Sequence, residues 1–141
     1  MLFRSNSGFV AIAAANHSLA LKTDGSVVAW GANFYGQIDI PKPNADFIGV
    51  AAGDDYSLAL TAAGSIVGWG SNLYGQIDVP APNTGFVAVA AGSYHSLGLK
   101  SDGSIVTWGC LRLTCDWYSC DCWTKPYPPS PNTGLDRKSV V

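Results

Sequence analysis

The chain has 141 residues, of which 48% are apolar and 13% charged, with a formal net charge of −2. That is enough chain and enough apolar surface for one folded domain with a core of its own. The low, nearly balanced charge argues against nucleic acid or an anionic membrane surface as partner, since both select a basic face. No apolar run reaches the ~20 residues that a membrane-spanning helix needs.

The first apolar segment, Phe9 to Ala15, follows Arg4 and precedes small residues, so by itself it could pass for a short signal peptide. The same segment returns as Phe47–Gly53 and again as Phe86–Gly92, which makes a strand of the fold the more economical reading. Trp30, Trp69 and Trp108 recur with a period of 39, and Ser18, Ser57 and Ser96 keep the same step. Between Gly31–Trp69 and Gly70–Trp108, 23 of 39 positions are identical. The first unit is one residue short between its Phe and its Ser. A period in this range marks a repeat architecture.

Within each unit, β-branched and aromatic residues alternate with small or polar ones over short runs bounded by Gly, Asn, Asp or Pro. The pattern predicts four strands per unit. In the third unit three of them are Phe86–Ala91, Ser96–Lys100 and Ser104–Trp108; in the second unit the last is Gln76–Val79. Asp24-Gly25 and Asp102-Gly103 predict two-residue hairpins. Four short antiparallel strands per ~40 residues describe one blade of a β-propeller. The expected fold is all-β, a partial propeller of about three blades over residues 1–109, followed by an irregular tail rich in Cys and Pro over 110–141.

The phrase Ala90–Gly109 (AAGSYHSLGLKSDGSIVTWG), with Asn-x-Tyr-Gly-Gln following the tryptophan in the other units, resembles the repeat of the regulator of chromosome condensation family. The resemblance runs from Phe9 to Gly109, and the short linker Gly75–Gly85 is similar to bacterial-type members. It implies a ring of seven blades used as a binding scaffold. It also implies, for the founding eukaryotic member, nucleotide exchange on a small GTPase. That activity is not carried over, because nothing here corresponds to an insertion that could engage a GTPase.

A residue that recurs in every unit is most simply explained by the packing problem each blade must solve. By that filter the three tryptophans are packing residues between blades. His17 and His95 are equivalent, with Tyr56 between them, so a polar cap on a loop end fits better than a general base or a metal ligand. Asp39 and Asp78 repeat as well and read as solvated strand ends. No nucleophile elbow, phosphate-cradling loop or His-Glu-x-x-His is present, so neither a catalytic function nor a cofactor is expected.

The positions that vary between units are more informative. In a meander, the loops between first and second strands and those between third and fourth emerge at the same end. Phe34, Asp54, Asp55, Leu73 and Tyr94 then share one face, and aromatic or apolar anchors beside a few charges suit a protein partner. Tyr35 and Tyr74 repeat, so they are read as braces. The alternatives are a structural piece of a larger propeller with no site of its own and, further off, a lyase or hydrolase built on propeller loops. Three blades leave two blade faces uncovered, so self-association or further blades are expected to cover them.

After Gly109 the repeat breaks. Cys110, Cys115, Cys120 and Cys122 do not show the paired spacing usual for zinc, and disulfides, an insertion or an out-of-frame stretch all remain open. These cysteines leave the cellular compartment undecided. Pro131–Gly134 repeats the linker tetrad Pro82–Gly85, and Ser139-Val140-Val141 loosely matches a carboxylate-capture motif.

Overall fold

The computed structural model describes residues 6–110, 112–115 and 120–124, the last two segments as backbone apart from Cys122. Three three-stranded antiparallel sheets follow one another: β1 (Phe9–Ala14), β2 (His17–Lys22) and β3 (Val27–Gly31); β4 (Phe47–Ala52), β5 (Tyr56–Thr61) and β6 (Ile66–Gly70); β7 (Phe86–Ala91), β8 (His95–Lys100) and β9 (Ile105–Gly109). Each is a meander, and the registers are equivalent: Ser18 faces Trp30, Ser57 faces Trp69 and Ser96 faces Trp108. The residue missing from the first unit is lost in the β1–β2 turn, where Ala14 pairs with Ser18 while Ala52 pairs with Ser57. The strands therefore keep their faces despite the deletion.

Two details differ from the sequence expectation. The hairpins are three-residue loops with glycine alone in the left-handed region: Lys22 N–H donates to Ser26 O, and Gly25 has φ 82°. Asp24 Oδ1 accepts from both the amide and the hydroxyl of Ser26, which closes the loop from the side. The fourth strand, placed at Gln76–Val79, is not formed as a strand. Its amides are consumed locally instead, because Asn72 Oδ1 accepts from Ile77 N, Asp78 N donates to Gly75 O and Val79 N donates to Ile77 O. Asn83 takes over the outer edge of the sheet: Ile66 N donates to its Oδ1 at 2.8 Å and its Nδ2 donates to Ile66 O at 2.8 Å. Asn44 clasps Val27 in the same way.

The apolar core lies between blades rather than inside any one of them. Leu19, Leu21 and Val27 of the first blade bury against Phe47, Ala59 and Trp69 of the second. Leu58, Leu60 and Ile66 of the second bury against Phe86 and Trp108 of the third. Both seams carry the same polar clasp. Trp69 Nε1 and Ser57 Oγ donate to Gln37 O at 2.9 and 2.7 Å, and Trp108 Nε1 and Ser96 Oγ donate to Gln76 O at 2.8 and 2.7 Å. A tryptophan buried for its area thus also satisfies its one donor.

In the stretch expected to be irregular, β10 (Arg112–Cys115) pairs antiparallel with β11 (Cys120–Thr124) and with neither neighbouring sheet. Cys110 and Cys122 are joined by a disulfide with a Cα–Cα distance of 5.7 Å. The open choice at these two cysteines resolves to a disulfide, while the side chains of Cys115 and Cys120, Pro131–Gly134 and Ser139–Val141 lie outside the described residues.

Candidate functional site

Each blade sends its first turn and its exit loop to the same end, and backbone hydrogen bonds hold them side by side. Ala32 N donates to Asn16 O, Ser71 N to Asp55 O and Cys110 N to Tyr94 O, the last two at 2.9 and 2.7 Å. The exit loops are stiffened from within. Asn33 donates through Nδ2 to Asp39 Oδ1 at 3.0 Å while its Oδ1 accepts from Ile38 N, and Asn72 treats Asp78 and Ile77 alike. Gln37 and Gln76 add a side-chain acceptor for the amides of Tyr35 and Tyr74. Asp39 and Asp78 are accordingly loop staples, and neither faces the other as an acid–base pair would.

On this rigid end Phe34 is 92% and Leu73 69% exposed, at equivalent loop tips. Asp55 and Tyr94, also equivalent to each other, are half-buried and tied into the seams. Gln37 Nε2 donates to Asp55 Oδ1 at 3.3 Å, and Tyr94 meets Tyr74 edge-on with ring centroids 5.4 Å apart. Asp54 is half-buried beside them. The five candidate residues thus share one end of the blades, two projecting and three set into the turns beneath. Tyr74 braces its loop as its repetition suggests.

His17 is not a loop cap. It begins β2, lies buried in the first seam, and its Nε2 meets Ser57 Oγ at 2.6 Å. Desolvation lowers its pKa below 6.5, against the opposing pull of Asp55 and of the Asp54 backbone. Tyr56 holds the same place in the second seam, where its hydroxyl donates to the carbonyls of Gly92 and His95 and accepts from Ser96 Oγ. Burial raises the Tyr56 pKa, keeping it a donor. Gly53 is required here, because a Cβ on it would fall 1.9 Å from the Tyr56 ring. Among the described residues, no group of three or more His, Cys, Asp or Glu side chains is placed to hold a metal ion.

Sequence reasoning did not single out a second surface, a groove of about 320 Å³ at the outer face of the first blade, lined by Phe9, Ile12, Ala20 and Trp30. The signal was available in the repeat itself. Trp30 is 39% exposed where Trp69 and Trp108 are each 5% exposed, because no blade stands in front of it.

Among curated protein sequences nothing matches this chain. Solved structures do. Prp20p from Saccharomyces cerevisiae, described with its binding properties to Gsp1p and histones, superposes with a TM-score of 0.67 at 26% identity, covering 77% of this chain and 32% of its own. The ectodomain of the Arabidopsis thaliana receptor kinase ACR4 gives 0.62 at 25% identity over 79% and 42%. Human WBSCR16, at 24% identity, shares the fold with a TM-score of 0.64 over 75% and 34%. The chain therefore spans well under half the length of each. The expectation that nucleic acid is excluded gains no support from these neighbours, one of which is described as binding histones. The sequence pattern described as the regulator of chromosome condensation (RCC1) repeat matches residues 11–37, 47–76 and 86–110, more than half of the chain. With three blades in the same register and the same clasp at both seams, the chain belongs to the regulator of chromosome condensation (RCC1) repeat family.

Proposed function

We propose that this chain is a non-catalytic scaffold that binds a protein through the loop end carrying Phe34, Asp54, Asp55, Leu73 and Tyr94, with residues 1–109 as the propeller unit and 110–141 as an appended tail. The observation that carries the reading is the pair Phe34 and Leu73. Both are large apolar side chains projecting from loops that internal hydrogen bonds keep rigid. A side chain held out on a stiff loop loses little conformational freedom on binding, which is how interface anchors gain affinity. Asp54 and Asp55 set a negative rim around them and favour a partner with a basic patch. Prp20p, described as binding Gsp1p and histones, supports a binding use of the same fold.

The test separates anchors from braces. A Phe34→Ala/Leu73→Ala variant alters only exposed positions, so its thermal unfolding should match that of the parent chain. Quantitative affinity capture with parent and variant side by side should show a captured protein falling at least tenfold with the variant, followed by the same loss with the purified pair. Undiminished capture of every protein by the double variant and by the fivefold alanine variant would reject this face.

A further inference from the structure

The repeat assigns each blade two different faces. The forward face carries the position of His17, Tyr56 or His95, two leucines from the second strand, and Val27, Ile66 or Ile105 from the third. The backward face carries Phe9, Phe47 or Phe86, the apolar residue at Ile12, Val50 or Val89, the serine at 18, 57 or 96, and the tryptophan. Each seam inside the chain is one forward face closed on the next backward face. That leaves one face of each kind uncovered. Leu99 and Ile105 of the third forward face are 39% and 38% exposed, whereas Leu21, Val27, Leu60 and Ile66 are all buried. On the first backward face Ile12 is 81% exposed, while Val50 and Val89 are packed into the seams.

We propose that two copies of this chain close head to tail into a six-bladed ring, the third forward face of each covering the first backward face of the other. The occupant is specified by the two seams already present, because the free faces repeat their chemistry residue for residue. His17 of the forward face bonds Ser57 of the backward face at 2.6 Å. His95 stands at the His17 position and Ser18 at the Ser57 position, so His95 of one copy meets Ser18 of the second in the same clasp. Leu99 and Ile105 fill the groove over Ile12 and Trp30 as Leu21 and Val27 fill that over Val50 and Trp69. Two chains of three blades make six, within the four to eight that close a propeller. The contact is heterologous, so closure requires both ends of both copies.

The experiment is the mass in solution of the full chain and of two variants, Ile12→Asp and Ile105→Asp, each first shown to keep parent-like circular dichroism. Light scattering across about 1–100 µM should give the parent chain approaching twice 14.7 kDa. Each variant alone should run as a monomer, since each loses both seams. The two variants mixed should recover a dimer, because one undamaged forward face then meets one undamaged backward face. A monomeric parent at the highest concentration would overturn the proposal and point to blades from another chain. A dimer that survives Ile105→Asp but not Ile12→Asp would indicate a symmetric backward-face contact, and open-ended growth would exclude the ring. None of these outcomes touches Phe34 or Leu73, so the fate of the partner-binding face is decided separately.

Discussion

His17 shows how one repeat position is solved in two chemistries. The site needs a polar group that bridges a blade to the next serine while excluded from water. A histidine does this in the first seam by meeting Ser57, and a tyrosine does it in the second by joining Ser96. The tyrosine is neutral throughout the physiological range, but the histidine titrates, and burial disfavours its charged form. With the folded pKa below the unfolded value, the unfolded chain binds more protons in the interval between them. Stability contributed by neutral His17 is therefore complete above about pH 6.5 and declines as the pH falls from there toward the folded value. Asp24 and Asp102, which their Ser26 and Ser104 partners hold below 3.8, lose stability only in a more acidic range. His17→Gln keeps a donor toward Ser57 and removes the titration. Thermal unfolding at pH 7.5 and 5.5 should show a smaller acid loss in the variant than in the parent, and equal losses would place the acid sensitivity elsewhere.

At the scale of elements, the three strands of each blade are legible in the sequence because alternation and the Gly-bounded runs impose them. The fourth is not. Gln76–Val79 has the composition of a strand, yet Asn72 offers its backbone a nearer acceptor, and short polar side chains of this kind compete with a sheet ladder. The asparagine that then closes the sheet, Asn83, lies 17 residues from Ile66 and was legible only as part of a linker. It makes two bonds to one residue, so Asn83→Ala should cost about 1–3 kcal/mol by leaving the Ile66 amide without its acceptor. Chemical denaturation checks this, and a loss below about 0.5 kcal/mol would mean that water replaces the clasp. The loop end was also legible, since strand parity alone brings Phe34, Asp54, Asp55, Leu73 and Tyr94 to one end. That Asp55 and Tyr94 are tied down while Phe34 and Leu73 project was not legible. The distinction depends on how closely one blade's exit loop approaches the next blade's first turn.

For the whole molecule, the core is a pair of seams, so stability is a property of neighbours rather than of any blade alone. The middle blade is covered on both faces, and β5 is buried along nearly its whole length. The third blade is covered on one face, and β8 alternates between buried and half-buried positions. Opening free energies should follow that gradient, because a strand covered on both sides exchanges its amides only when both seams separate. Hydrogen exchange on a dilute sample should therefore be slowest in Tyr56–Thr61 and faster by at least tenfold in His95–Lys100. Raising the concentration should slow His95–Lys100 toward the β5 rate if a second copy covers its forward face, and Ile105→Asp should abolish that slowing while leaving β5 unchanged. A profile already flat in dilute solution would contradict a seam-based core, since three blades stable on their own would need no neighbour to protect them.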